Sequence, residues 1–454
     1  MQSIHARLAL MPSGWQKDVS VFFENGFIKQ INNEFSATAR SVDILLPAPV
    51  NLHSHTFQRA LSGLTEARHP TLNDSFWTWR ELMYTFIAQL KPEHVGAIAE
   101  FAFMEMLETG FAAVAEFHYL HHNVDGQPYD DIAEMAGRII HAADRSGIGL
   151  TLLPSLYMQG GCDGRDLIGG QRRFGCSLDL FENLFSKTSS HIEAGASDHK
   201  LGVAPHSLRA VTPDALAQLE SICPTGPIHI HLAEQKSEVI EVLNHLGSRP
   251  AEWILNNLNV DHRWCLIHCT QMTESETKLI AKSGAIVGLC PITESNLGDG
   301  VFNGTYFLDS HGRFGIGTDS NVHISLWHEL ATLEYSQRLS EHRRSALASL
   351  NQSTGRTIFD NATKSGATAS GRNSGEIMEG KLADFIVLSA DNEYLCHREN
   401  DQILDSLIFC GRGRSCITDV WSAGRHVVVN GRHKDRDRIV QAYRTTLGQI
   451  KQTF

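Results

Sequence analysis

The 454-residue sequence lacks the features that mark several large classes of protein. Its 39 Lys and Arg residues are outnumbered by 51 Asp and Glu residues and form no basic run, whereas proteins that bind nucleic acids present a basic surface. The nine cysteines are odd in number and include no CxxC pair, so we expect reduced thiols and not a disulfide framework. Internal repeats and low-complexity segments are also missing. With 42% hydrophobic and 20% charged residues, the composition predicts a globular protein.

Long apolar runs are missing as well. The closest candidate for a membrane span, 101–117, is interrupted by Glu105, Glu108 and Glu116, so we do not expect it to cross a bilayer. The N-terminal apolar stretch is too short for the central region of a signal peptide. We therefore expect a soluble, cytoplasmic protein with neither a membrane nor a nucleic acid as its partner.

The middle of the chain alternates strand-like and helix-like segments. Eight strand candidates are separated mostly by helical patterns, which is the count of a (β/α)₈ barrel. The candidate strands are 45–53, 111–118, 149–157, 200–206, 227–233, 264–268, 285–291 and 314–318. The predicted helices include 94–108, 132–146, 213–222, 251–258 and 274–282.

The two ends of the chain read differently from this middle part. The first 44 residues alternate short β-like runs with turns, and two strand pairs follow the Ser-, Thr-, Gly- and Asn-rich segment 359–375. The segment 438–453 predicts a terminal helix. We therefore expect an α/β protein in which a (β/α)₈ TIM-type barrel (47–372) carries a small discontinuous β-sandwich domain built from both chain ends (1–46 and 373–454).

Polar residues occur where the apolar strand candidates end. In a barrel these ends meet at one mouth, and residues two apart on a strand face the same side. Three histidines and one carboxylate suit Zn²⁺, with an open position for water, although Fe²⁺ or Mn²⁺ is chemically possible. The predicted ligands of one metal ion per chain are His53, His55, His231 and Asp319.

Two further residues supply the groups that a hydrolase needs. A bound divalent ion lowers the pKa of water from 15.7 to roughly 7. Glu234, three residues after His231, is placed to move a proton, and His268, at the end of the sixth strand, to stabilise developing charge. Asp319 is expected both to bind the metal and to accept a proton.

Other histidines and cysteines have simpler interpretations. His229 is either a partner of His231 or a filler of the core. The three histidines after the second strand are expected on a solvated loop, and three strand cysteines as buried structural thiols. These residues are His118, His121, His122, Cys265, Cys269 and Cys290.

On these residues the chain resembles the amidohydrolase superfamily, in its single-metal deaminase branch. GKLADFIVL is typical of that superfamily's β-sandwich. The segments NLHSHTFQRALSGLTE, DSFWTWRELMY, AEFHYLHH and APHSLRAV are similar to the formimidoylglutamate deiminase family of bacterial histidine degradation. The resemblance implies hydrolysis of the C=N bond of N-formimino-L-glutamate, giving N-formyl-L-glutamate and ammonia. A homodimer is common for this architecture.

The resemblance also implies roles for individual residues. It assigns zinc binding to the four predicted ligands, and proton transfer and charge stabilisation to Glu234 and His268. The implied substrate-binding residues are Gln58, Arg80, Tyr119, His206 and Arg209. Independently, a substrate with two carboxylates calls for guanidinium groups, although either arginine could instead form a surface ion pair.

Several alternatives stay open at this point. A deaminase or chlorohydrolase of a nucleobase, adenosine-type or triazine ring would need a flat apolar slot in place of two arginines. A metal-free barrel that serves as a binding protein would have no use for Glu234. N-formimino-aspartate is not separated from N-formimino-glutamate. Among Ser320, Asn321 and His323, one is expected to contact the substrate.

Overall fold

A computed structural model describes residues 1–36, 38–67, 75–411 and 413–450. The strands in this part of the chain are β1 Gln2–Met11, β2 Gly14–Glu24, β3 Phe27–Asn32, β4 Arg40–Pro47, β5 Val50–Ser54, β6 Ala113–His118, β7 Gly149–Leu156, β8 Lys200–Leu201, β9 Ala204–Pro205, β10 Ile228–Leu232, β11 Trp264–His268, β12 Ile286–Leu289, β13 Arg313–Ile316, β14 Phe385–Leu388, β15 Ile417–Ser422, β16 Arg425–Val429 and β17 Arg432–His433.

The helices are α1 Phe76–Ile87, α2 Pro92–Glu108, α3 Glu134–Ser146, α4 Leu178–Ala194, α5 Pro213–Ile222, α6 Lys236–Leu246, α7 Pro250–Asn257, α8 Glu274–Ser283, α9 Pro291–Leu297, α10 Gly304–Asp309, α11 Leu326–Glu341, α12 Thr354–Asp360, α13 Gly366–Ala369, α14 Asp401–Phe409, α15 Gly413–Cys416 and α16 Arg436–Gln449. Short 3₁₀ turns lie at Thr56–Leu61 and Gly169–Arg173, and a π turn at Asn361–Ser365 joins α12 to α13. Among the described residues, no helix is long and apolar enough to cross a membrane.

Both ends of the chain contribute to one eight-stranded sheet. Its order is β17-β16-β15-β14-β4-β1-β2-β3, in which β1 and β4 are parallel and the other neighbours are antiparallel. One face packs an apolar cluster that includes Ile4, Val21, Leu45, Phe385 and Trp421. Since these side chains come from residues almost 420 positions apart, burial of this face requires the two ends to fold together.

The middle of the chain forms two parallel sheets with helices between the strands. One sheet has the order β5-β6-β7-β8, with β9 paired to β7, and the other has the order β10-β11-β12-β13. Single parallel bridges link the edges of the two sheets: Val203 to Ile228 and Ser207 to His231 on one side, and Ser54 to Asp319 on the other. The architecture is therefore mixed α/β with parallel sheets, as expected for the predicted barrel segment.

Two predicted strands are interrupted in the structure. The segment 45–53 is divided between β4, in the terminal sheet, and β5, in a parallel sheet. Pro47 and Pro49 lie at the division, and proline has no N–H for a sheet ladder. The segment 200–206 breaks at Gly202, where an added Cβ would lie 2.4 Å from the Pro227 carbonyl oxygen. Only glycine fits this close approach of two backbones.

Most predicted helices are found within two residues of their predicted ends, and α5 has the predicted bounds. Most of the Ser-, Thr-, Gly- and Asn-rich segment from 359 onward is helical and well buried, because it continues from α12 through the π turn into α13. The predicted C-terminal helix begins two residues early, at Arg436, and its last predicted residues lie outside the described part of the chain.

Candidate metal centre and active site

The His53-Ser54-His55 segment lies directly beside Asp319. The backbone N–H of Asp319 donates to the His53 carbonyl and the N–H of His55 donates to the Asp319 carbonyl, each at 2.9 Å. Asp319 has a left-handed φ of 45°, and Asn321 follows with a φ of 55°. Asn321 stabilises this turn by donating to Ser54 Oγ and to the Asp319 carbonyl. Strained backbone of this kind is concentrated at functional sites.

Four side chains converge with the spacing of a tetrahedral metal site. His53 Nε2 lies 3.1 Å from His231 Nε2 and 3.5 Å from Asp319 Oδ1, and His55 Nε2 lies 3.4 Å from the same carboxylate oxygen. For metal–ligand bonds of about 2.0–2.2 Å, tetrahedral geometry places neighbouring ligand atoms about 3.3 to 3.6 Å apart. The donor set and its spacing therefore fit one divalent cation.

The protonation of these imidazoles also suits a cation. His55 Nδ1 donates to the Phe117 carbonyl at 2.8 Å, and His231 Nδ1 donates to the His206 carbonyl at 2.9 Å. A carbonyl only accepts, so the Nε2 atoms that face the centre carry lone pairs. Burial, reinforced by neighbouring imidazoles, holds the pKa of His53 and of His231 well below 6.5. Neutral imidazoles with converging lone pairs are the form that binds a metal.

Glu234 and His268 face the same centre. His268 Nε2 lies 3.9 Å from Glu234 Oε1 and 3.9 Å from Asp319 Oδ2. Burial raises the pKa of Glu234 to about 7. Burial opposes the charge of His268, but the carboxylates of Glu234, Glu294 and Asp319 outweigh it and raise the pKa of His268 to about 10. A carboxyl near pKa 7 is suited to accept and return a proton at neutral pH.

Buried carboxylates hold these two residues in place. Glu238, in the first turn of α6, accepts the backbone N–H groups of Ala233 and Glu234 at 3.0 Å, where Ala233 has a φ of 51°. Glu294, in α9, accepts from His268 Nδ1 at 3.2 Å. His268 belongs to two further groups of possible metal ligands, one with His53 and Asp319 and one with Cys290 and Glu294. In the second of these, the hydrogen bond to Glu294 already uses Nδ1 of His268.

A narrow cavity that is open to the surface leads to this centre. Ten of the eleven predicted site residues line it, and the remaining one, His53, lies at its base. The lining residues from the prediction are His55, Gln58, Arg80, Tyr119, His206, Arg209, His231, Glu234, His268 and Asp319.

Three predicted substrate residues lie near the metal-site histidines. The ring of Tyr119 lies 4.7 Å from that of His55, and the ring of His206 lies 4.8 Å from that of His231. Gln58 Nε2 donates to Tyr119 Oη at 2.6 Å, whereas the buried Gln58 Oε1 has no hydrogen-bond partner among the described residues. This group forms the inner polar wall of the cavity.

Arg80 and Arg209 lie against one aromatic ring. Their guanidinium carbons are 4.4 Å and 5.8 Å from the centroid of Trp77. In both residues the Nε atom is buried, and within the described ranges it has no hydrogen-bond partner and no carboxylate forms a salt bridge with either guanidinium group. Burial opposes the charge of Arg209, but the charges of Glu238, Tyr157 and Glu234 outweigh it and raise the pKa of this guanidinium. These arginines therefore do not have the simple role of a surface ion pair.

Some sequence expectations differ from the structure. The three histidines after the second strand are buried and not on a solvated loop, since His121 Nε2 contacts the Ser155 carbonyl and His122 Nε2 the Gly175 carbonyl. His229 is a core residue whose Nε2 donates to the Ala369 carbonyl. The three strand cysteines are buried, as predicted. The expectation of a solvated loop was therefore wrong for His118, His121 and His122.

The sequence interpretation missed several cavity residues. Tyr157 directly follows β7, so the rule that polar residues at strand ends face the mouth would have found it. Met83, Phe174 and Leu297 also line the cavity, but apolar residues in loops and helices carry no comparable signal. Of the three residues after Thr318-Asp319 left open above, only Ser320 lines the cavity.

A model of the amidohydrolase family matches residues 44–431, and one of the N-terminal domain of formimidoylglutamate deiminase HutF matches residues 1–41. The chain therefore belongs to the amidohydrolase family, as the resemblance predicted. A formimidoylglutamate deiminase of Pseudomonas aeruginosa is 44% identical over 459 residues, covering 99% of this chain and 100% of that protein. Within the family, the chain is thus a member of the formimidoylglutamate deiminase group.

Two solved structures are similar along almost the whole chain. A crystal structure of an amidohydrolase from Brucella melitensis has a TM-score of 0.95 and 45% identity, covering 99% of this chain and 100% of that one. An adenosine deaminase from Xanthomonas campestris with bound zinc has a TM-score of 0.81 and 23% identity, covering 99% and 98%. The second likeness concerns the fold alone.

Proposed function

We propose that this enzyme hydrolyses the C=N bond of N-formimino-L-glutamate and releases N-formyl-L-glutamate and ammonia. The observation that carries the proposal is one cavity with a metal-type donor set at its base and two arginines on its wall that form no salt bridge within the described part of the chain. The Pseudomonas relative, named for an activity on formimidoylglutamate, supports this choice of substrate.

For the fold we propose a closed (β/α)₈ barrel, 47–372, with a discontinuous β-sandwich domain from 1–46 and 373–454. The bridges at both edges of the two parallel sheets support closure, because they join the first strand to the last and the fourth to the fifth. Closure explains why residues from β5, β10 and β11 meet Asp319 at one mouth.

For the metal site we propose His53, His55, His231 and Asp319 as the residues that hold one Zn²⁺, Fe²⁺ and Mn²⁺ being the alternatives. When bound, such an ion supplies Lewis acidity, which lowers the pKa of water to about 7 and polarises a C=N bond. The preference for zinc follows from the imidazole-rich set and agrees with the zinc in the adenosine deaminase structure.

For the substrate, the two carboxylates are proposed to bind at opposite ends of the cavity. The formimino nitrogen is attached to the α-carbon, so the α-carboxylate must lie close to the reacting centre. Gln58, Tyr119 and His206 are the polar residues beside the metal-site histidines and hold it there. The distal carboxylate lies farther out, where Arg80 and Arg209 bind it by charge-assisted hydrogen bonds.

For the reaction, Glu234 is proposed to accept a proton from the attacking water and to return it to the leaving nitrogen. His268 and Asp319 face the same point, His268 donating a hydrogen bond to the developing negative charge and Asp319 accepting a proton. The amidinium and water give an amide and ammonium, so protons balance without a further donor. The anionic Glu234 and Asp319 also favour a cationic formimino group.

The proposal is tested by ammonia release from N-formimino-L-glutamate with zinc-loaded protein. We expect rapid release by the wild type, a 10²- to 10⁴-fold lower kcat for Glu234→Gln, and no change for Glu274→Gln on the exposed face of α8. N-formimino-L-aspartate, which is one methylene shorter, tests whether the distal carboxylate must extend as far as the two arginines. Absence of release from both, with release from a nucleobase or triazine, would assign the ring-deaminase alternative. The homodimer and the cytoplasmic location stay predictions. Light scattering, which gives the mass of the particle in solution, tests the homodimer.

A further inference from the structure

Ser320 lies at the inner end of the cavity, next to the carboxylate of Asp319. It is 6% exposed and lines the cavity. Its hydroxyl lies 3.0 Å from Thr293 Oγ1, which is the one contact that the described residues give it. The direction of this hydrogen bond decides what the hydroxyl can offer to a ligand.

All three polar contacts of Thr293 Oγ1 can be hydrogen bonds in only one arrangement of the protons. Thr293 Oγ1 lies 3.2 Å from the Thr318 carbonyl oxygen and 3.3 Å from the backbone nitrogen of Ser320. A carbonyl only accepts, so the single proton of Thr293 points to Thr318, and the backbone N–H of Ser320 donates to Thr293. For the remaining contact to be a hydrogen bond, Ser320 must donate its own proton to Thr293. The Ser320 hydroxyl is then left with lone pairs only.

We propose that Ser320 is a specificity-determining residue that accepts a hydrogen bond from an N–H of the formimino group. This inference rests on the proposed function and deepens it. The reacting end of the substrate is an amidinium with N–H donors, whereas the corresponding end of the product is a formyl oxygen, which only accepts. An acceptor held beside Asp319 therefore favours the substrate over its product and over formyl analogues, because a mismatched pair leaves buried groups unsatisfied.

The test compares substrate turnover with product inhibition in Ser320→Ala. We expect kcat/KM for N-formimino-L-glutamate to fall about 10- to 100-fold, the usual effect of losing a hydrogen bond to a charged group. The inhibition constant of N-formyl-L-glutamate should stay unchanged or decrease. A general disturbance of the site would weaken substrate and product together, so parallel losses overturn the inference, as does an unchanged kcat/KM.

Two variants of Thr293 give a second, independent test. Thr293→Val removes the acceptor that orients Ser320, so the serine hydroxyl is free to donate into the cavity. We expect a lower kcat/KM and tighter inhibition by the product. Thr293→Ser keeps both the donor and the acceptor and should resemble the wild type, which separates hydroxyl chemistry from packing. Equal inhibition constants in Thr293→Val and wild type would overturn the assigned direction of the hydrogen bond.

The outcome for the proposed function is read separately. Wild-type protein with one zinc per chain is assayed first. No ammonia release by the wild type overturns the proposed function and this inference with it. Release by the wild type, combined with parallel changes in the Ser320 variant, overturns this inference alone.

Discussion

The ring of His268 donates a hydrogen bond from Nδ1 to Oε1 of Glu294 at 3.2 Å, and both residues are buried. The same carboxylate oxygen accepts the backbone N–H of Cys290 at 3.0 Å, which ties it to the start of α9. Glu294 is therefore a fixed acceptor that sets the orientation of the imidazole and directs Nε2 towards Glu234 and Asp319.

Replacement of Glu294 by Gln should lower kcat about 10- to 100-fold, the usual cost of losing a carboxylate behind a functional histidine. KM and zinc content should change little, because Glu294 contacts neither the predicted substrate-binding residues nor the predicted metal ligands. Steady-state kinetics and metal analysis give these values. A downfield imidazole N–H resonance that is absent in His268→Asn should weaken in Glu294→Gln. If that resonance is unaffected, the hydrogen bond to Glu294 does not orient the His268 ring.

The metal site predicts a contrast between two buried histidines. His53→Asn should reduce zinc from one per chain to less than about a tenth, since it removes a ligand at the centre of the set. His229→Asn should keep one zinc per chain, because His229 binds the Ala369 carbonyl outside that set. Metal analysis of the dialysed proteins gives the result. Zinc should also raise the melting temperature of wild type and not of His53→Asn.

The layout of the candidate site was predictable to the extent that it follows strand ends. Alternation on a strand gives His53 and His55 one direction, and the barrel rule brings His231, His268 and Asp319 to the same mouth. All eleven predicted site residues are at the cavity or its base. These predictions needed only the local pattern and the fold class.

Contacts between distant side chains were not predictable in this way. Glu294 and Glu238 lie in the first turns of α9 and α6, where the helix dipole alone favours a carboxylate. Their use as acceptors for His268 and for the Glu234 backbone depends on where neighbouring strands bring those groups. The same holds for the division of 45–53 between two sheets. Proline marks a break in the strand, but only the pairing of β4 with β1 shows that the part before the break belongs to the terminal sheet.

A buried ion cluster joins the terminal sheet to the parallel sheets and predicts acid sensitivity. Asp198 contacts Arg425 at 2.6 Å and Arg372 at 3.0 Å. Burial raises the pKa of Asp198, but hydrogen bonds from Arg425 and the charge of Arg372 outweigh it, so the pKa lies well below 3.8. The folded state thus binds this proton less readily than the unfolded state does. Its contribution to stability is complete above about pH 5 and is lost as pH falls below about 4.

Removing the negative charge of Asp198 should therefore lower the free energy of unfolding strongly at neutral pH and less strongly in acid. Asp198→Asn should lower the free energy of unfolding by about 3 kcal/mol at pH 7, as expected for a buried pair that loses one partner. The difference from wild type should narrow as the pH falls below about 4. Urea unfolding at pH 7, 5 and 3 measures this, with Asp309→Asn on the exposed end of α10 as the control. A difference that is constant across this range would contradict the assigned cause.

The arginine pair predicts how substrate charge is recognised. Arg209→Met should raise KM for N-formimino-L-glutamate about 10- to 100-fold and change kcat much less, because the lost contact lies far from the reacting bond. Trp77→Leu should raise KM in the same direction by a smaller factor, since the indole face that supports both guanidinium groups is removed. Initial rates over a range of substrate concentrations give both constants.

A substrate without the distal carboxylate supplies the control for these two variants. N-formimino-L-2-aminobutyrate keeps the formimino group and the α-carboxylate, so wild type should turn it over with a high KM. Arg209→Met should then have little further effect, because the guanidinium has no anion to bind and its loss removes no contact. If the variant weakens both substrates by the same factor, Arg209 acts through the general shape of the cavity. If only the dicarboxylate is affected, the guanidinium group of Arg209 selects the distal carboxylate.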